Sequence, residues 1–261
     1  MNKTMNNIIE IETHRQNTNP NLLLHCGANT VERGEVYRIP TPDSTATWYP
    51  MPHRHLLEEV ESQLWGSGLE IKSETHALSH EGARYFGIIE VAKHGHTHDD
   101  YSWVIGIRNS HDKSLPAGLV AGTRVFVCDN MAFSGMVKIQ RKHTRFAARD
   151  LRHLTNRAIG KLGDRLQSMD ERIGLYKQSR VTDLQAHDLI VRAVDAGAIT
   201  NSQIPEVVGQ WRKPDHECFE RRNAWSLFNA FTEATKKISP ELQVKRGEAL
   251  QGLFDAKYAL C

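Results

Sequence analysis

Seven consecutive residues, Arg108-Asn109-Ser110-His111-Asp112-Lys113-Ser114, carry a guanidinium, an amide, two hydroxyls, an imidazole, a carboxylate and an ammonium. Such a run at the end of an apolar strand is where sites are commonly carried. Asn109, Ser110, His111, Asp112 and, further on, Asn130 are therefore candidates for a polar site. His111 and Asp112, with Asp129 and His143, supply the imidazoles and carboxylates that acid–base or metal-assisted phosphodiester chemistry uses, so these four are the candidate catalytic residues. The competing reading is a turn in which Asn109, Ser110 and Asp112 bond their own backbone. No GxSxG, Walker-type, HExxH or GxGxxG pattern is present, which argues against nucleotide hydrolysis and Rossmann redox chemistry.

A second ligand-rich stretch is His94-Gly95-His96-Thr97-His98-Asp99-Asp100. Alternating residues of an extended segment share a side, so His94, His96 and His98 are candidate ligands for zinc or manganese. A solvated hairpin loop has the same composition, and a lasting site needs a ligand on a second rigid element. The expectation is no cofactor, with a divalent metal as the alternative.

The elements that must position these groups follow from apolar spacing. Residues 1–36 are expected to form an N-terminal arm, with Asn21–Cys26 as a possible edge strand, and Glu35–Ile39 could add another. Leu56, Leu57, Val60, Leu64 and Trp65 recur at helical spacing over His53–Trp65, ended by Gly66 and Gly68. Leu69–Leu78, Ala83–Ala92, Tyr101–Ile107 and Thr123–Cys128 read as strands, with Met136–Gln140 as a further one. A long amphipathic helix is expected over Leu151–Ile173. Helices follow at Asp183–Ala196, Gln203–Gly209 and Glu217–Ile238. The expected architecture is α+β: an antiparallel β-meander with a leading helix and a long basic helix over 37–174, then a helical subdomain over 175–261.

Charge is concentrated where that helix begins. Between Arg141 and Arg165 eight Lys and Arg face two acids, whereas the whole chain carries only +2. Phosphate neutralisation requires clustered cations. The expected contacts are Arg141, Lys142, Arg145, Arg149, Arg152 and Arg157, led by Lys138, with Arg108 and Lys113 from the polar run. A solvated face paired with acidic helices is the alternative. The expected partner is DNA, single strands favoured, with Tyr85, Phe86 and Trp103 as stacking candidates unless they are core. Trp211, Trp225 and Phe228 could instead anchor a host protein, and a homo-oligomer is possible.

Several strings carry a resemblance. Trp48-Tyr49-Pro50-Met51-Pro52-His53, Gly82-Ala83-Arg84-Tyr85-Phe86-Gly87, the stretch Gly106–Gly135, Arg141-Lys142-His143-Thr144 and Ala224–Glu233, spread over residues 37–258, resemble a family of phage- and plasmid-encoded proteins, the domain of unknown function numbered 932. The resemblance implies a mobile-element context and no particular activity. The order of helix, meander, glycine-containing turn and long helix is also similar to phage-type single-strand annealing proteins, at the level of layout alone. The N-terminus has no apolar signal region, no run reaches membrane-spanning length, and the four cysteines form no CxxC pair. A cytoplasmic protein with free thiols is expected.

Overall fold

Residues 28–93, 101–125 and 131–258 are described by the computed structural model. Six strands form one antiparallel sheet in sequential order: β1 (Asn29–Val31), β2 (Leu69–Ser79), β3 (Arg84–Lys93), β4 (Tyr101–Ser110), β5 (Ala117–Val125) and β6 (Met131–Arg141). Helices α1 (Arg33–Arg38) and α2 (His53–Trp65) precede β2. After β6 come α3 (Ala147–Gly160), α4 (Leu162–Gln178), α5 (Asp183–Asp195), α6 (Ile204–Arg212), α7 (Ala224–Thr235) and α8 (Pro240–Tyr258). The α+β class expected from the sequence is what the chain adopts.

Two compact units divide these residues, and they interleave along the chain. The first gathers 28–93, Val104–Leu119 and Ile139–Arg157; the second gathers 101–103, 120–125, 131–138 and 158–258.

In the first unit, Leu56, Leu57, Val60 and Leu64 form the buried stripe of α2, which packs on β2. β2 and β3 pair from Leu69↔Lys93 to Ser79↔Arg84, with one irregularity between Ile71 and Ser73. The turn joining them is held in the left-handed region at His80, Glu81 and Gly82. Gly82 is required there, since a Cβ would lie 2.6 Å from Ile39 Cδ1 and φ is +84°.

In the second unit, α7 is the hub: it packs against α4, α6 and α8 and is buried at nearly every position. Asn223 caps it by accepting from the Ser226 amide at 2.8 Å. Phe254 of α8 meets Phe228 edge-on at 5.1 Å and Phe231 at 5.8 Å, ring arrangements that favour aromatic contact. Asp170 of α4 accepts from both Tyr101 Oη and Trp103 Nε1, each at 2.7 Å, fixing the start of β4.

Several boundaries differ from the sequence expectation. Glu35–Ile39 is not a strand. Arg33–Arg38 is helical, with Glu35 in the first turn and Arg38 in the last, where each complements the helix dipole. The edge strand of the sheet is Asn29–Val31 instead. Trp65 does not join the apolar stripe of α2; it is 84% exposed, because at about 100° per residue the last position turns away from Leu64. The long helix over Leu151–Ile173 is two, parted at Lys161, whose amide reaches back three residues to the Ala158 carbonyl at 3.1 Å between Gly160 and Gly163. The helix expected over Glu217–Ile238 begins only at Ala224, because Arg222 is left-handed (φ 55°) and Asn223 extended. α8 falls within the helical subdomain expected over 175–261, at a place where spacing predicts no particular helix. The possible strand at Asn21–Cys26 lies outside the described residues.

Candidate functional site

The polar run closes β4 and turns toward β5. Ser110 Oγ donates to the Leu115 carbonyl and accepts from the Leu115 amide, both at 3.0 Å. Asp112 accepts from the Ser114 amide at 2.9 Å and from its hydroxyl, and takes Arg84 Nε at 2.6 Å. Burial alone would push the Asp112 carboxyl up, but Ser114 and Arg84 together hold it well below the usual carboxylate range. Lys113 adopts φ 65°, and its ammonium sits 5.1 Å over the Trp48 ring.

Asn109 and His111 act at long range. Asn109 Nδ2 donates to the Met51 carbonyl at 2.8 Å, and to His53 Nδ1 at 3.0 Å; His111 Nε2 donates to that same carbonyl at 2.9 Å. The Met51 amide in turn donates to His143 Nδ1 at 3.3 Å. Three side chains from β4, the adjoining turn and the segment after β6 therefore converge on one backbone unit. Pro50 and Pro52 on either side hold that unit extended. His53 Nε2 donates to the Gly82 carbonyl at 2.9 Å, and the His111 amide reaches the Ala83 carbonyl at 2.7 Å. These bonds assign the neutral Nε2–H tautomer to His53, His111 and His143.

The knot is dry. Asn109 is 0% exposed, His53 1%, His143 5% and His111 8%. Burial, and then the His111 imidazole, push His53 down to about 4. Burial lowers His111 against the pull of the Met51 and Pro40 carbonyls and Asp112. Burial, followed by His111, lowers His143 as well. Within hydrogen-bond geometry, Asn109 Oδ1, His111 Nδ1 and His143 Nε2 are unpartnered among the described residues. The candidate catalytic pair His111 and His143 is thus neutral, buried and engaged in holding Met51. Among the described residues no three His, Cys, Asp or Glu side chains form a metal-holding group. His94, His96, His98, Asp129 and Asn130 lie outside the described residues.

The chain from Lys142 onward carries a cationic surface within the first unit. Trp48 packs 6.2 Å from the His143 ring, and the Tyr49 amide donates to the His143 carbonyl at 2.9 Å. Lys142, Arg145, Arg149, Arg152 and Arg157 are exposed. In α3 the buried positions Ala147, Leu151, Thr155 and Ile159 step by four, which leaves Arg149, Arg152 and Arg157 on the remaining face. Arg141 and Arg149 both reach Asp150, the one acid of that helix. Lys142, Arg145, Arg152 and Arg157 have no carboxylate partner among the described residues. Arg108 is half-buried within β4, and Lys138 belongs to β6.

Sequence reasoning missed Met51, His53, Gly82, Trp48 and Phe146 as parts of this region. Four of the five lie in strings quoted above for their resemblance, but contact across the sheet has no local signal. Tyr85, Phe86 and Trp103, the stacking candidates, are buried instead.

The chain is an α+β protein whose first unit holds a buried imidazole–amide knot and the arginine-bearing α3. Over residues 44–253 the chain matches the family described as domain of unknown function DUF932, and it belongs to that family. No curated protein and no solved structure matches it.

Proposed function

We propose that this protein binds DNA, with the cationic surface of the first unit taking the phosphate backbone and the histidine knot holding that surface in shape. The observation that carries the reading is the solvent face of α3 and its approach: five exposed cations, Lys142, Arg145, Arg149, Arg152 and Arg157, against the single acid Asp150. Cations left without carboxylates are available to phosphates, and each phosphate contact releases a counterion. Lys113 adds a sixth charge beside Trp48. A role in the DNA metabolism of mobile elements fits the phage- and plasmid-borne proteins that the chain resembles.

Fluorescence anisotropy of labelled oligonucleotides at low and rising salt tests the reading. Binding that weakens steeply with salt is expected; absence of binding at low salt contradicts it. Of the four residues named for the phosphodiesterase alternative, His111 and His143 are buried, Asp112 is held in its ion pair with Arg84, and Asp129 lies outside the described residues. Among the described residues no helix is long and apolar enough to cross a membrane.

A further inference from the structure

Resting on that reading, we infer that Phe146 is a stacking platform for unpaired bases, so that the surface selects single-stranded over double-stranded DNA. Phe146 stands at the entrance to α3 with 53% of its surface exposed. The Arg149 guanidinium lies 4.7 Å and that of Arg145 5.7 Å from its ring centre. A single exposed phenylalanine is unremarkable on a protein surface. This one differs in its neighbours, because two planar cations lie over it and a third exposed cation, Lys142, precedes it by four residues.

That combination is what single-strand recognition requires. Unpaired bases stack on aromatic rings and on guanidinium planes, while the same arginines neutralise the backbone that carries them. In a duplex the base faces are already stacked on their neighbours, so an exposed ring finds none to stack on. The ring therefore adds affinity for single strands and none for duplex. A second aromatic–cation pair, Trp48 under Lys113, packs 6.2 Å from the His143 ring, and Phe146 follows His143 by three residues, at most about 11 Å of chain. The occupant is set by charge: among the described residues the carboxylate beside Phe146 is Asp150, already held by Arg141 and Arg149.

The test uses the full chain with three probes of equal length: an oligothymidylate, its abasic counterpart and a duplex. The wild-type protein is expected to bind oligothymidylate about tenfold more tightly than the abasic strand, a ratio in the range of one stacked base. Phe146→Ala removes that preference without changing affinity for the abasic strand or the duplex; Phe146→Trp retains it. An unchanged melting temperature in Phe146→Ala confirms that the fold is intact. If the wild type binds the oligothymidylate and abasic strands equally, or Phe146→Ala leaves the preference in place, the stacking inference is overturned while phosphate binding stands. If none of the three probes is bound, both fall.

Discussion

The imidazole rings of His53 and His111 stack face to face, their centroids 3.9 Å apart and their planes 6° from parallel. Two rings this close and this dry can coexist only while at least one is neutral, since a charge on either penalises a charge on the other. His53 comes from the first residue of α2 and His111 from the turn after β4, so the stack joins two elements distant in sequence. The Met51 carbonyl, bonded by Asn109 and His111, closes the joint from the side.

Acid should therefore loosen the first unit. The folded pKa of His53 is depressed from 6.5 to about 4, and His111 and His143 are depressed in the same direction. A depressed group contributes stability that is fully present above the unfolded value and is lost as pH falls. The window runs from about pH 6.5 down to about 4, and the His53 shift, caused by burial and then by the neighbouring His111, corresponds to ~3 kcal/mol across it. Groups facing the stack include Tyr85, which stays neutral, and Asp112, whose depressed carboxyl titrates only below that window. Urea denaturation at pH 7.5 and pH 5 checks this: the midpoint should be lower at pH 5. An equal or higher midpoint at pH 5 would show that the imidazoles are not buried neutral.

Asn109→Ala should cost about 1–3 kcal/mol, because it leaves His53 Nδ1 buried without a donor and removes one of two bonds to the Met51 carbonyl. The melting temperature reports the loss. Because Met51 and Trp48 share a segment, affinity for DNA should fall together with stability. A variant as stable as wild type would mean that the amide is dispensable to the joint.

Gly82→Ala should destabilise by a comparable amount, about 1–3 kcal/mol, through its left-handed φ and the crowding of Ile39. Gly34→Ala, in α1 with open space around a Cβ, serves as the control and should be neutral or stabilising. Equal effects at the two positions would contradict the description of the β2–β3 turn.

Trp48 should report the ligand optically. Trp103, Trp211 and Trp225 are buried, leaving the half-buried Trp48 and the exposed Trp65 as the indoles within reach of a ligand. In a Trp65→Phe background, oligothymidylate should quench part of the remaining emission, and adding Trp48→Phe should abolish that response. A quench that persists without Trp48 would place the strand elsewhere.

Local periodicity is enough for the class of fold, because α2 repeats its leucines at helical spacing and β3 and β4 carry apolar runs between turns. It failed where one residue decides. Lys161 interrupts an apolar stripe that continues in phase from Ile159 to Leu162, so the break between α3 and α4 is invisible to spacing. In α8 only Leu250 and Phe254 among the apolar residues are deeply buried, and the others are spread around the helix, so no stripe announced it. The arginines of α3 were legible as charges in a row. Ser110 and Asp112 close their turn by local chemistry that composition suggests, whereas Asn109 and His111 reach back 58 and 60 residues to Met51, a pairing only the sheet brings about. Phe146 looked ordinary beside Arg145, since nothing in the order of residues says that its ring stays half outside.

The central claim is that the cations of this surface bind phosphates. The most direct measurement is the salt dependence of DNA affinity for the wild type and for the combined variant Arg145→Ala, Arg152→Ala, Arg157→Ala, three exposed residues without carboxylate partners among the described residues. The account predicts a steep log–log decline for the wild type, and a decline shallower in the variant by about one unit for each lost contact on duplex and about 0.7 on single strands. Identical slopes in the two proteins, or no binding by the wild type at low salt, would contradict it.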